Sequence, residues 1–291
     1  MHENARRSFL LEAQNPDGGW GYFPGRTSWL EPTAWAALAL HGTEAADRAY
    51  RLVSGWQNAE GGARPAARVD SPHWSAALIV TLAAIRGDVL VARRGIEYLL
   101  DTAGADTGTL MRVMYFLQPK GRDRNPGFEG WPWRPGASAW IEPTAHGITA
   151  LRVASPLLGG DRRIAHRIAS AQNFILHQRC QDGGWNYGAR TALGLNLNSF
   201  PETTALALIG LIGRRDLTGA FETVQAHVRM NESPLSRAWL GLSLRLHGQP
   251  EPGGAPPEAG RDVLLNAIIL LAEPDGHWPL LLPESRKEKN G

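Results

Sequence analysis

At 291 residues, with 43% apolar side chains and eleven Trp, the chain has material for one large core or two ordinary ones, and too little polar bias for disorder outside its tail. A net charge of +2 on 20% charged residues, with scattered basic groups nearly matched by acids, excludes a nucleic-acid footprint; Arg162-Arg163 and Arg214-Arg215 read as solvated faces. The longest apolar runs, Val263 to Ala272 and Ala205 to Ile212, fall short of the ~18 residues that a membrane span needs.

From the N-terminus, Arg6-Arg7 precede an apolar stretch that Glu12 ends after four residues, too short for a signal-peptide core. Cys180 is the single cysteine and cannot form an internal disulfide. The expectation is a cytoplasmic protein, with peripheral membrane contact left open.

Apolar spacing then predicts helices of two kinds. Amphipathic ones fall at about 3–14, 44–58, 88–103, 160–178, 216–230 and 259–272; ones apolar or small nearly all round fall at about 31–41, 72–86, 107–117, 142–154, 201–212 and 234–247. A helix without a polar face has to be buried. The alternation therefore predicts an all-α fold, an α/α toroid of two concentric layers of about six helices each, with the second set inside. Residues 1–282 form one barrel domain, and 283–291 form a charged C-terminal tail. The stretch from Lys120 to Ala139, rich in Pro and Gly and carrying Trp131 and Trp133, breaks the alternation, as functional or mobile loops do.

Two phrases recur along this chain. Gln14-Asn15-Pro16-Asp17-Gly18-Gly19-Trp20 returns at Gln178 to Trp185, and more weakly at Gln57 to Gly62 and Ala272 to Trp278. Trp29-Leu30-Glu31-Pro32-Thr33-Ala34 returns as Trp140-Ile141-Glu142-Pro143-Thr144-Ala145 and as Phe200-Pro201-Glu202-Thr203-Thr204-Ala205, each opening an apolar helix. The first phrase has a structural explanation: Gly takes the left-handed conformation, Asp bonds the turn backbone, and Trp packs beneath the following segment.

Inner helices that all start after such turns aim their N-termini at one barrel mouth, gathering Glu31, Asp70, Glu142 and Glu202, with His73 and His146 close by. Two readings of these acids stand. They cap the helices, with Pro at the first helical position, or they face an apolar cavity, keep their protons through desolvation, and act as general acids. In the second case Trp35, Trp74, Trp140 and Trp239, with His73 and His146, line the substrate site, and aromatic faces stabilise a carbocation. Asp70, His73, Glu142 and His146 also offer an oxygen and nitrogen set for zinc. No phosphate-binding Gly loop and no Ser-His-Asp set in recognisable context is present.

The glutamine-to-tryptophan turns resemble the repeats of the terpenoid cyclase and protein prenyltransferase superfamily, which includes squalene-hopene cyclase, over roughly residues 8 to 278. In class II cyclases the initiating acid lies in an Asp-rich phrase ending in Thr-Ala. The resemblance therefore implies that Glu142 stands at the proton donor's place, with Pro143 beside it, although no Asp-x-Asp-Asp occurs in this chain. Prenyltransferase beta subunits hold zinc with an Asp-x-Cys phrase, and here Asp70-Ser71-Pro72 keeps the Asp and has Pro in the thiolate position. The resemblance implies an isoprenoid-handling barrel without a required cofactor, a class II-like cyclase if it is an enzyme. The alternatives are a prenyltransferase-like enzyme with a degenerate zinc site, a non-catalytic barrel for a lipid or a protein, and a carbohydrate-active barrel using paired carboxylates.

Overall fold

The computed structural model describes residues 5–117, 125–230, 233–250 and 260–273. The weak turn copy near Trp278 and the tail 283–291 lie outside them. Among the described residues there are twelve α-helices: α1 (Ala5–Glu12), α2 (Leu30–Ala39), α3 (Glu44–Ser54), α4 (Ala76–Arg86), α5 (Val89–Asp101), α6 (Thr109–Leu117), α7 (Ile141–Ala154), α8 (Arg162–His177), α9 (Pro201–Gly210), α10 (Thr218–Met230), α11 (Pro234–Leu246) and α12 (Val263–Ala272). Two small antiparallel ribbons complete the regular structure, β1 (Trp131–Pro132) with β2 (Ala139–Trp140) and β3 (Thr191–Ala192) with β4 (Leu195–Asn196).

The inner layer is a closed ring in which α2 packs on α4, α4 on α7, α7 on α9, α9 on α11, α11 on α12, and α12 back on α2. Helix α3 covers α2 and α4, α5 covers α4 and α7, α8 covers α7, α10 covers α9 and α11, and α1 covers α12. This is the expected α/α toroid, and the helices that start near Glu31, Pro72, Glu142 and Glu202 are all inner ones. The reason is compositional: α2, α4 and α9 bury nearly every side chain, while α3 and α8 bury one face only.

Two helices exchange their expected layers. The window 107–117 reads as an inner helix, but α6 stands off the ring on a short 3-10 turn and leaves Val113, Met114, Phe116 and Leu117 exposed. The window 259–272 reads as an outer helix because of its charges, yet Arg261 and Asp262 precede α12, and the helix itself is buried in the ring. Asp262 is its N-cap, accepting from the Leu265 amide at 2.9 Å.

Three copies of one anchor set the helix starts at a single end of the barrel. The Trp20, Trp131 and Trp185 indoles donate to the carbonyls of Leu10, Leu99 and Ile175 at 2.8, 2.9 and 2.6 Å. Their amides donate to the hydroxyls of Thr33, Thr144 and Thr204 at 2.9, 2.9 and 3.0 Å. The Thr of each Glu-Pro-Thr or Glu-Thr-Thr phrase is thus the socket for the Trp of the turn before it. The part of the Lys120–Ala139 stretch that is described is therefore a further copy of the turn, ending in Trp131, whose ring lies 3.4 Å below the buried Arg167 guanidinium. In the weak copy, Ala63 takes the Trp place: its carbonyl accepts from His73, as the Trp20 carbonyl accepts from Trp29 and the Trp185 carbonyl from Phe200. Gly18, Gly61 and Gly183 carry φ of +91°, +88° and +94°, the left-handed turn conformation that favours Gly.

Candidate functional site

The barrel end that carries these turns is stitched around its rim. Leu30 N donates to the Pro65 carbonyl, Trp74 N to Trp133, Ile141 N to Tyr187 and Val263 N to Tyr22, each at 2.8–3.1 Å. Every inner helix start concerned is tied to a neighbouring loop, which fixes the first-turn side chains relative to one another.

Glu31, Glu142 and Glu202 each occupy the second position of an inner helix, behind N-caps Trp29, Trp140 and Phe200 that make no side-chain cap bond. None of the three caps its helix by a side-chain bond to backbone, and Pro takes the first helical position only in α9; Pro32 and Pro143 follow their Glu. The capping expectation is corrected. Glu31 accepts from the Tyr22 hydroxyl at 2.5 Å, and Glu202 accepts from the Ser236 hydroxyl. Glu142 has no hydrogen-bond partner among the described residues.

Burial, with the negative charges of Glu31 and Glu202, pushes the Glu142 carboxyl up to about 8. Burial also raises Glu31, which the Tyr22 bond opposes and the charge of Asp262 reinforces. Tyr22 is raised by its burial and by the charges of Glu31, Glu142 and Asp262. The mouth thus gathers Glu31, Glu142, Glu202, Asp262 and Tyr22, and burial with like charge favours the protonated form of Glu142.

Asp70 does not belong to this ring: it is exposed on the loop before α4, and the place matching the three Glu is held by Ser75, two residues after His73. The expected helix at 72–86 begins at Ala76, so His73 and Trp74 lie in its lead-in. Among the described residues, no group of three or more His, Cys, Asp or Glu is placed to hold a metal ion.

One turn below Glu142 on α7, His146 is buried and lies 4.8 Å from Trp74, stacked, and 5.7 Å from Trp35. Burial alone drives its pKa down to about 3, so the ring is neutral. Trp239 meets Trp35 edge to face at 5.1 Å, and Trp133 meets Trp74 edge to face at 5.3 Å. Trp35, Trp74, Trp239 and His146 are therefore brought together as one aromatic cluster under the acids. The Trp35 indole nitrogen has no partner. Trp140 stands apart, about a third exposed on the rim against Tyr187.

Tyr22, Ser236, Asp262 and Trp133 join the site without having been anticipated. A signal for two of them exists in the sequence: an aromatic residue follows each anchor Trp by two places, as Tyr22, Trp133 and Tyr187. His227 is half-buried and bonds the Ser199 hydroxyl at 2.8 Å. Asp182 bonds that same hydroxyl at 2.9 Å, so the three form a turn brace and not a nucleophile relay.

No protein-family model matches the chain, and no curated protein matches it. Among solved structures, the type II terpene cyclase MstE from Scytonema, in complex with its product merosterolic acid A, superposes with a TM-score of 0.54 at 17% identity, covering 94% of this chain and 80% of the other. The complex of a second variant of that cyclase with its substrate, geranylgeranyl dihydroxybenzoate, gives 0.52 at 14% identity, covering 92% and 78%. The fold is terpene cyclase-like. Within it, the described residues contain no helix long and apolar enough to cross a membrane.

Proposed function

We propose that the chain is an isoprenoid-handling barrel that starts a class II-like cyclisation by proton transfer from Glu142. The observation that carries this is the difference among three equivalent acids: Glu31 and Glu202 are occupied by hydroxyl donors, and Glu142 is unpartnered over an aromatic cluster, where burial and like charge push its carboxyl up to about 8. The Glu142 proton adds to one carbon of an alkene, the positive charge develops on the other, and a neighbouring alkene attacks it to close a ring. The faces of Trp35, Trp74 and Trp239 stabilise the cation, and loss of a proton from the last cation ends the sequence. Re-protonation of Glu142 from the mouth completes the cycle.

A second reading, a non-catalytic lipid- or protein-binding barrel, is favoured by the contact of Trp35, Trp239, His146 and Trp74, which fills the space below Glu142, so entry requires a ring to swing. Product analysis after incubation with linear isoprenoids separates the two. A cyclised product that the Glu142→Gln variant no longer forms supports the first, and binding without conversion supports the second.

The apolar substrate class also suits delivery from an anionic lipid surface. Phe23, Trp29, Trp140, Tyr187, Leu193, Leu195 and Phe200 are exposed on the mouth loops, which also carry Arg26, Arg64, Arg68, Arg134, Arg190 and Arg261. Vesicles of phosphatidylglycerol should retain the protein, and Leu193→Asp with Leu195→Asp should release it; equal retention of the double variant would remove the rim from the reading.

A further inference from the structure

Of the four rings gathered under the mouth, Trp35, Trp74 and Trp239 are indoles, whose nitrogen can only donate, and His146 alone carries a basic lone pair. Its side chain is buried, and neither ring nitrogen has a hydrogen-bond partner among the described residues. Burial keeps the ring uncharged. A buried polar group left unpaired is uncommon and calls for an explanation. Four residues separate His146 from Glu142, so the two side chains share one face of α7, about 6 Å apart along the axis. The nearby hydroxyls are poorer bases: Thr149, next along that face, bonds the Ala145 carbonyl at 2.9 Å, and the buried Ser75 hydroxyl, though unpaired, binds a proton far more weakly than an imidazole. Access is also provided for. Trp74, stacked on His146 at 4.8 Å, is the one ring of the cluster that stands on a loop and the one only half-buried, whereas Trp35 and Trp239 are held on α2 and α11 at 3% and 5% exposure. A swing of Trp74 is thus the motion that admits a chain, and it uncovers the His146 ring.

We propose that His146 is the base that ends the cyclisation, and that its place one turn below Glu142 ends it early, at a mono- or bicyclic product. The inference rests on the proposed protonation by Glu142 and deepens it. An imidazole nitrogen takes a proton from the carbon next to the last cationic centre, and the electron pair of that C–H bond becomes the new alkene. The imidazolium then passes its proton to the mouth carboxylates one turn above, and Glu142 is recharged. Burial drives the proton that way, because it weakens the hold of an imidazole on a proton and strengthens that of a carboxyl. Reactant and product are isomers, so no co-reactant enters the balance. Positive charge moves away from the initiating acid as each ring closes, and a base so near that acid meets the cation before a long chain has folded into many rings.

The probe is geranylgeraniol, incubated with the full chain and followed by gas chromatography with mass spectrometry. The parent should give mono- or bicyclic alkenes. His146→Phe keeps a flat ring in the stack and removes the lone pair. It should still consume the probe, but the parent's alkene should fall at least about tenfold as a share of product, consistent with the loss of a positioned base. Products with further rings, or alcohols from capture of the cation by water, should take its place. His146→Gln, polar but far less basic, should shift the products in the same way, and thermal unfolding of both variants shows which keeps the fold. A purely structural role for His146 would lower yield without changing the product pattern. That outcome in a folded variant, or a tetracyclic product from the parent, overturns the assignment. Glu142→Gln tells the two proposals apart: a product that needs Glu142 but keeps its pattern in the His146 variants removes the base and leaves the acid, whereas no cyclised product from the parent overturns both.

Discussion

Glu31 and Glu142 stand at the same place in two copies of one structural unit, each behind an aromatic N-cap and two residues before a Thr that holds an anchor Trp. Around Glu31, the residue two places after the anchor is Tyr22, and its hydroxyl reaches the carboxylate at 2.5 Å. Around Glu142, that residue is Trp133, which has no hydroxyl to give and turns its ring against Trp74. The scaffold repeats while the electrostatics diverge. A hydrogen bond to the charged form lowers a carboxyl pKa, whereas burial among like charges raises it, so the replacement of Tyr by Trp helps to leave Glu142 protonated.

The sharpest way to break this comparison is kinetic. Glu142→Gln removes the titrating proton at nearly constant shape and should reduce product formation by roughly 10²–10⁴-fold, with Glu31→Gln and Glu202→Gln retaining most of it. Comparable losses in all three variants would mean that the units do not differ in chemistry. Next in size is the scaffold. Trp20→Ala, Trp131→Ala and Trp185→Ala should each destabilise by about 3–5 kcal/mol in denaturant unfolding, since all three anchors are buried and doubly bonded. An anchor whose loss leaves the midpoint unchanged is not equivalent to the others.

A smaller effect distinguishes the units through pH. The Glu142 carboxyl goes from an ordinary value of 4.5 in the unfolded chain to about 8 in the folded one, so between these values the native state holds a proton that the unfolded state has released. Stability is therefore full below about 4.5, falls as pH rises towards 8, and levels off beyond it. Glu142→Gln should flatten that limb; a limb of equal slope in the variant would assign it to other groups. Smallest of all, Glu31→Gln keeps an acceptor for the Tyr22 hydroxyl and should shift stability by no more than about 1 kcal/mol, measured by thermal unfolding at neutral pH.

Much of the toroid is legible in the sequence because burial is written into composition: α2 and α9 have no face that water could wet. The two exchanged helices mark where that logic stops. Helix α6 is apolar but spans only Thr109–Leu117 and packs mainly on its own 3-10 turn, and α12 reads as amphipathic only if its flanking Arg261 and Asp262 are counted with it. At the site, Glu31, Glu142 and Glu202 are legible as a repeated phrase. Their differing partners are not, because Tyr22 and Ser236 reach them across loops and helices whose approach depends on packing. Charge alone groups Asp70 with these acids, whereas position in the unit selects Ser75.

The contact of α12 with α2, backed by α1 on α12 and by the Arg6–Glu273 ion pair at 3.2 Å, joins the first and last parts of the described chain. A linear helical array loses its terminal repeats first, because each end unit has one neighbour. Here every inner helix has two, so there is no outermost repeat from which melting begins. Thermal unfolding should accordingly be a single cooperative event, and removal of α12 should cost the distant α7 its order as well as its own immediate neighbours.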